Sequence, residues 1–216
     1  MLAGLAFALA LTSTGQVPDH VATRPVHRLE QSWWKNRHEQ KVVVTKAGGV
    51  ELAFLGDSIT HSWENGGKDV WKRYYEDRKA ANFGFSGDRT EHVLWRLENG
   101  ELIDLQPKVV VIMIGTNNIG HGSSSPQQTA DGVRAIVFKL LSRIRGVKIL
   151  LLGVFPRSLN SGDKMRMDVA EATMLFSDRA DGELVFFLDI GKYFLRPSGE
   201  MRTTMMPDML HPNAAG

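Results

Sequence analysis

The segment Lys108-Val109-Val110-Val111-Ile112-Met113-Ile114 decides the fold class of this 216-residue chain. From Val109 onward every residue is apolar, and polar and apolar side chains do not alternate. An uninterrupted apolar strand is typical of a sheet that helices cover on both faces. The segment therefore predicts a central strand in a parallel sheet.

Shorter apolar runs lie on both sides of this segment and are separated by stretches with helical spacing. Strands are predicted at residues 51–55, 80–83, 108–114, 147–154 and 184–189. Helices are predicted at residues 33–45, 58–63, 70–75, 91–97, 126–145 and 163–180. Alternating strands and helices predict an α/β fold with a parallel central sheet and helices on both of its faces. Functional residues in such folds follow the carboxyl ends of the strands.

Composition excludes several classes of protein. The formal net charge is +2 and there is no long basic run, so nucleic-acid binding has no support. The absence of cysteine excludes disulfides, thiolate zinc sites and a cysteine nucleophile. The length fits one domain with a sizeable core.

The first twenty residues are treated separately, and the domain is expected to span residues 21–216. Residues 2–11 form an apolar run that has the length of a signal-peptide core and is too short to cross a bilayer. Residues 1–20 are therefore interpreted as a signal peptide or a disordered N-terminus, and a buried helix is the alternative. A signal peptide would place the protein outside the cell or in the periplasm; without one it would be cytoplasmic.

Ser58 follows the first predicted strand in the segment Gly56-Asp57-Ser58-Ile59-Thr60. A serine at the start of a helix has a backbone N–H without an acceptor inside the helix, and the helix dipole favours negative charge there. Such a serine is a candidate nucleophile, although Gly-Asp-Ser also occurs as an ordinary turn and N-cap. The segment is not the Gly-x-Ser-x-Gly elbow of the α/β-hydrolases, because Thr60 replaces the last glycine.

Other strand ends carry the remaining parts of an acyl-transfer site. Gly84 ends the second strand, where its N–H would be accessible, and Asn117 follows the third strand with an amide that can donate to an oxyanion. Each of these positions is also compatible with a simple turn. His211 follows Asp208 by three residues, a spacing at which a carboxylate can orient an imidazole base. No further ligands with suitable spacing accompany them, so a metal site is not predicted.

The blocks Gly-Asp-Ser-Ile-Thr, Asn-Phe-Gly, Gly-Thr-Asn-Asn and Asp-Met-Leu-His together resemble those of the SGNH hydrolases, also called GDSL-type esterases. The stretch 82–102 looks like the branch that contains the catalytic subunits of platelet-activating-factor acetylhydrolase. This resemblance implies a three-layer α/β/α, flavodoxin-like sandwich and hydrolysis of short acyl esters, acetyl esters in particular. Relatives usually continue into a final helix after the histidine, so the domain is expected to lack its C-terminal helix.

The resemblance also implies roles for individual residues. Ser58 is the expected nucleophile, His211 the base and Asp208 the residue that orients it, and no cofactor or metal is needed. The expected oxyanion donors are the backbone N–H groups of Ser58 and Gly84 and the side chain of Asn117. Further residues are expected to border the substrate pocket: Asp57, His61, Trp63, Asn118 and Arg157. Asp57 is also expected to support the loop of Ser58 through hydrogen bonds.

Several functional alternatives stay open at this point. The expected partner is a small-molecule or carbohydrate ester, and an exported carbohydrate O-acetyl esterase is one specific form of that hypothesis. A non-catalytic carbohydrate-binding or scaffold protein on the same fold is the alternative from another class. No stable membrane span is expected, and resemblance to the acetylhydrolase subunits raises a homodimer as a further hypothesis.

Overall fold

The computed structural model describes residues 18–102 and 104–216, so the apolar run at residues 2–11 lies outside the described residues. The described residues form a parallel five-stranded sheet with the strand order β2-β1-β3-β4-β5. Its strands are β1 (Leu52–Gly56), β2 (Ala80–Gly84), β3 (Val109–Met113), β4 (Lys148–Leu152) and β5 (Val185–Leu188). The apolar segment quoted first is the central strand β3, as predicted.

Helices connect the strands. They are α1 (Ser32–Ala47), α2 (Ser58–His61), α3 (Lys68–Tyr75), α4 (Thr90–Glu98), α5 (Thr116–Gly120), α6 (Pro126–Arg143) and α7 (Lys164–Ser177). Short 3₁₀ turns also form at Ser62–Glu64, Glu76–Arg78 and Gly191–Phe194. The α/β class and the parallel sheet predicted from the sequence are therefore confirmed.

The start of α6 illustrates how local sequence sets these boundaries. The Ser125 hydroxyl accepts the N–H of Gln128, and the Gln128 side chain accepts the N–H of Ser125 in return. This reciprocal pair satisfies two backbone donors that have no acceptor inside the helix. Pro126 occupies the first helical position, where a missing N–H costs nothing.

The main core lies on one face of the sheet. Alternate residues of the strands, such as Leu55, Ile112 and Leu151, point to this face and are fully or almost fully buried. They pack against apolar residues of α4, α6 and α7, including Val93 and Phe176. Successive side chains of a strand point to opposite faces of the sheet, so each strand places its side chains in two different environments.

The opposite face of the sheet is less completely covered. Phe54 packs there against Trp71 and Tyr75 of α3, with ring centroids 5.0 and 4.8 Å apart. Beside this aromatic cluster lies a mainly apolar groove of about 1230 Å³, which Val111 and Leu150 help to line. We call this feature the sheet groove. Among the described residues, no helix combines the length and apolar character needed to cross a membrane.

Candidate active site

Ser58 begins α2 immediately after β1, at the carboxyl edge of the sheet. The preceding residue, Asp57, is the N-cap, and its carboxylate accepts the N–H of Ile59 at 3.0 Å. Ser58 itself is only half-buried. The turn between strand and helix therefore presents the Ser58 side chain while its backbone N–H has no acceptor inside the helix.

Asp57 is buried beneath this turn, with 1% of its surface exposed. Burial raises the pKa of its carboxyl group to about 7, although the hydrogen bond from Ile59 and the nearby charge of His211 act in the opposite direction. Asp57 was expected to support this loop through hydrogen bonds and also to border the substrate pocket. The structure places it inside the protein as a support for the turn.

Ser58, His211 and Asp208 form a continuous chain of hydrogen bonds. Ser58 Oγ lies 2.8 Å from His211 Nε2, and His211 Nδ1 lies 2.6 Å from Asp208 Oδ2. Asp208 Oδ1 also accepts the backbone N–H of His211 at 2.7 Å, which fixes the tight loop between the two residues. Met209 inside this loop has a positive φ of 61°. Residues 153 positions apart in the sequence are thus brought into contact.

This group of side chains is open to solvent. The Asp208 and His211 side chains are 56% and 33% exposed. Burial raises the pKa of Asp208, but the hydrogen bonds from the His211 side chain and from the backbone of His211 and Leu210 outweigh it and lower the pKa overall. The carboxylate therefore stays ionised beside the imidazole.

Asn117 lies in α5, directly after β3. One hydrogen of its side-chain amide goes to the backbone oxygen of Asp88, at 2.9 Å. Because an amide has two N–H donors, the second remains for another acceptor. The bond to Asp88 joins α5 to the loop that follows β2.

The structure argues against the expected role of Gly84. Its N–H already donates to the Asn82 side chain at 2.7 Å, in a buried position. A Cβ on Gly84 would lie 2.3 Å from the backbone nitrogen of His61. Glycine is therefore needed here so that α2 can lie against β2, and the N–H is not available to an oxyanion in this conformation.

Gly87, three residues further on, has the properties that were expected of Gly84. It lies in a turn closed by a hydrogen bond from Asp88 N to Phe85 O, with a φ of +74° that favours glycine. The closing bond does not use the N–H of Gly87. Arg28 holds the same turn by donating to the Ser86 carbonyl at 2.9 Å.

The remaining residues expected around the pocket occupy different environments. His61 is half-buried and hydrogen-bonded to Ser86 Oγ at 3.0 Å, so it borders the turn that contains Gly87. Trp63 packs against Trp71 and lines the sheet groove, and neither Ser58 nor His211 is among the residues that line this groove.

Asn118 and Arg157 both make contacts with the protein itself. Asn118 is fully buried, and its side chain accepts the N–H of Thr90 and donates to the Glu91 carboxylate, so it is not a pocket residue. Arg157 is half-buried and donates to the carbonyl and hydroxyl oxygens of Thr116 at 2.9 and 3.2 Å.

Asp88 is a supporting residue that no sequence motif marks. Its buried carboxylate accepts hydrogen bonds from Trp34 Nε1 at 2.7 Å, Arg96 Nε at 2.8 Å and Arg28 Nη1 at 3.1 Å. It lies within the stretch that carries the family resemblance, but its partners are spread over two helices and a loop. A search for sequence motifs cannot detect such a network. Among the described residues, no group of three or more potential ligands is arranged to hold a metal ion.

Comparison with known proteins now places the chain in a family. Residues 54–216 match the GDSL-like lipase/acylhydrolase family. The human platelet-activating factor acetylhydrolase IB subunit alpha1 is 33% identical over 188 residues, which cover 85% of this chain and 77% of that protein. The alpha2 subunit from rat is 32% identical over 183 residues, covering 85% and 78%.

Solved structures share the fold. A GDSL-like lipase from Bacteroides thetaiotaomicron has a TM-score of 0.67 at 17% identity, covering 82% of this chain and 89% of that one. An acetylxylan esterase from Geobacillus stearothermophilus has a TM-score of 0.61 at 20% identity, covering 78% and 89%. Together with the sequence matches, these findings show that the chain belongs to the GDSL-like lipase/acylhydrolase family of carboxylic ester hydrolases.

Proposed function

We propose that this chain hydrolyses short acyl esters, acetyl esters in particular, through a triad of Ser58, His211 and Asp208 and a covalent acyl-enzyme. The observation that carries the proposal is the continuous hydrogen-bonded path from Ser58 Oγ through His211 to Asp208. Both distances lie in the range required for proton transfer between a nucleophile, a base and its orienting group.

In the first half of the reaction, Ser58 Oγ attacks the ester carbonyl carbon while His211 Nε2 takes the serine proton. Asp208 holds the imidazole and stabilises its positive charge. When the tetrahedral intermediate collapses, the C–O bond to the alcohol breaks and His211 returns the proton to the departing oxygen. In the second half, His211 accepts a proton from a water molecule as that water attacks the acyl-serine. When the second tetrahedral intermediate collapses, the bond between the acyl carbon and Ser58 Oγ breaks, His211 returns the proton to Oγ and the carboxylic acid departs.

For the negative charge on the carbonyl oxygen, we propose donors on three separate elements. These are the backbone N–H of Ser58, the backbone N–H of Gly87 and the second amide hydrogen of Asn117. Gly87 replaces Gly84 in this proposal, because the Gly84 N–H is already bonded to Asn82. The contact of Asn117 with the Asp88 carbonyl supports the choice, since it holds that amide next to the turn of Gly87.

The acetyl preference rests on two observations. Relatives more than 30% identical over most of their length are named as acetylhydrolases. Within the described part of the chain, the sheet groove reaches Ile59 and Pro212, the neighbours of Ser58 and His211, but neither Ser58 nor His211 lines it. A short acyl group does not need to enter this groove.

A carbohydrate O-acetyl esterase is a second candidate, and the openness of the site favours it. With Asp208 more than half exposed, a bulky polymeric alcohol can approach Ser58 without having to enter an enclosed cavity. The acetylxylan esterase among the structural relatives is compatible with this form of the activity.

A substrate panel tests both candidates. Wild type and Ser58→Ala are compared on nitrophenyl esters from acetyl to decanoyl, an acetylated xylo-oligosaccharide and an acetylated glycerophospholipid. We expect kcat/KM to fall as the acyl chain lengthens, and Ser58→Ala to lower kcat by on the order of 10⁴-fold or more. Mass spectrometry of the acid-quenched reaction should show one acyl group on the peptide that contains Ser58.

Ser142→Ala is the matched control, since Ser142 is a hydroxyl-bearing residue at the exposed surface of α6. It should retain wild-type rates. Near-normal turnover by Ser58→Ala would rule out the proposed nucleophile. Failure of the wild type on every ester would favour the non-catalytic binding or scaffold protein.

A further inference from the structure

The helix that carries Asn117 has little stability of its own. α5 contains five residues, and its N-cap, Gly115, has no side chain with which to cap it. Helices of this length are unstable in isolation, because few of their residues gain a hydrogen bond. The position of the Asn117 amide must therefore be fixed from outside the helix.

The Arg157 side chain contacts both ends of α5. At the first residue of the helix, Nη1 donates to the Thr116 carbonyl at 2.9 Å and reaches the Thr116 hydroxyl at 3.2 Å. At the last residue, Gly120, the same nitrogen lies only 2.2 Å from the position that a Cβ would take. The guanidinium thus occupies the space that the missing side chain of Gly120 leaves open.

The backbone that carries Arg157 is itself held firmly. Arg166 of α7 donates to the carbonyl oxygens of Arg157, Ser158 and Leu159 at 2.8, 2.5 and 3.1 Å. The Ser158 N–H in turn donates to the carbonyl of Met209, between Asp208 and His211. A rigid backbone of this kind gives the long Arg157 side chain a fixed origin.

We propose that Arg157 is a positioning residue that fixes α5, and through α5 the Asn117 amide, for the transition state of ester hydrolysis. This role rests on the proposed function, because it acts through the proposed oxyanion donor. It differs from the pocket role expected from the sequence, since Arg157 acts from behind α5 through Thr116 and Gly120. A donor that is displaced by a fraction of an ångström binds the oxyanion less well while substrate binding is unaffected.

Gly120→Ala is the decisive variant. The added Cβ displaces the end of a flexible arginine side chain and no backbone, and alanine favours the helical conformation over glycine by up to about 1 kcal/mol. The protein should therefore keep its melting temperature while kcat on nitrophenyl acetate falls roughly 10-fold, a part of the 10²–10³-fold that follows complete loss of a donor. KM should stay within about twofold of wild type, as expected for an interaction made only in the transition state.

A double-mutant cycle tests whether Arg157 affects kcat through Asn117. Arg157→Met should lower kcat to a similar extent as Gly120→Ala, and Arg157→Lys should recover part of it by restoring a donor to Thr116. In an Asn117→Ala background, Arg157→Met and Gly120→Ala should each change kcat by less than about twofold, because the residue they position is gone. Gly66→Ala, in open space, and Arg179→Met, in an exposed ion pair, are the matched controls.

Two outcomes would overturn the proposal. One is a folded Gly120→Ala with unchanged kcat. The other is a loss of kcat that is equally large with and without Asn117. If Arg157→Met does not fold, Gly120→Ala still tests whether Arg157 positions Asn117. Inactivity of Ser58→Ala combined with a fully active Gly120→Ala would reject the role of Arg157 and leave the proposed function intact.

Discussion

At the scale of single residues, Asp57 is a carboxyl group buried one position before the proposed nucleophile. Its carboxyl group accepts the N–H of Ile59 and so stabilises the start of α2. Burial also removes this carboxyl group from contact with water, which disfavours its charged form. Burial therefore raises its pKa from an ordinary 3.8 to about 7. The same residue helps the local turn and makes the folded state sensitive to pH.

The sign of that sensitivity follows from proton linkage. Between about pH 4 and about pH 7 the folded chain holds a proton on Asp57 that the unfolded chain has released, so the contribution of Asp57 to stability falls as the pH rises through this window. His92 acts in the opposite direction, because burial lowers its pKa to about 3 and the unfolded chain then holds the extra proton. We expect Asp57→Asn to remove the contribution of Asp57 alone, so the stability of the variant relative to wild type should rise with pH, by at most ~4 kcal/mol for the difference between the two pKa values. Urea denaturation of both proteins from pH 4 to pH 8 measures it.

Asp69→Asn, on the exposed N-terminal turn of α3, is the matched control and should leave the pH dependence unchanged. If the difference in stability between Asp57→Asn and wild type stays the same from about pH 4 to about pH 7, Asp57 does not carry the proposed pH dependence.

The sequence singled out Ser58, Asp208, His211 and Asn117 as candidates because each lies in a short block next to a predicted strand or turn, and the structure brings the first three into hydrogen-bonded contact. It did not single out Gly87, because Gly84 and Gly87 stand three residues apart and only the structure shows that the Gly84 N–H is already bonded. It also placed Asn118 at the pocket, whereas this side chain turns inward to the start of α4. Burial and direction of a side chain depend on tertiary contacts that a motif does not contain.

At the scale of secondary structure elements, the approach of α2 to β2 determines how Ser58, the proposed nucleophile, is presented. Asn82 joins the two elements by donating to the Thr60 carbonyl at 2.8 Å. Gly84 allows this approach, because any side chain there would meet the backbone of α2. The first helix after the nucleophile thus rests on the neighbouring strand.

We expect Gly84→Ala to destabilise the protein by about 3 kcal/mol or more, since the Cβ would lie 2.3 Å from His61 N and backbone has to move. Thermal denaturation measures the loss, and Gly66→Ala serves as the control because its Cβ would meet nothing within 4 Å. An unchanged melting temperature for Gly84→Ala would show that α2 and β2 are less tightly packed than described.

The predicted strands and helices agree with the structure where the element is long or fully apolar. The strands β1 to β5 and the helix α6 lie within a few residues of the predicted ranges, because apolar runs and helical spacing reflect burial directly. The predicted helix at residues 58–63 is divided into α2 and the turn Ser62–Glu64. No helix was predicted at the position of α5, since five residues are too few to show a helical period.

At the scale of the whole molecule, the two faces of the sheet differ in how well they are packed. Val110 is fully buried in the main core, whereas its neighbour Val111 lines the sheet groove. Both belong to β3 and have the same side chain. They therefore form a natural pair for comparing the two faces.

We expect Val110→Ala to lower the free energy of unfolding by roughly 2 kcal/mol, between the typical costs of Ile→Val and Leu→Ala in cores. Val111→Ala should cost less than half as much, because fewer atoms surround the deleted methyl groups. Urea denaturation of the two variants gives the comparison directly. Equal losses would mean that the groove face is as closely packed as the main core.

The separation of 153 residues between Ser58 and His211 has a consequence for biosynthesis. A polypeptide grows from its N-terminus, so Ser58, the proposed nucleophile, leaves the ribosome before His211, the proposed base. Until then the nascent chain lacks the imidazole that bonds to Ser58 in the folded protein. On the proposed mechanism, hydrolysis therefore cannot begin before His211 has been synthesised and its loop has bonded to Ser158.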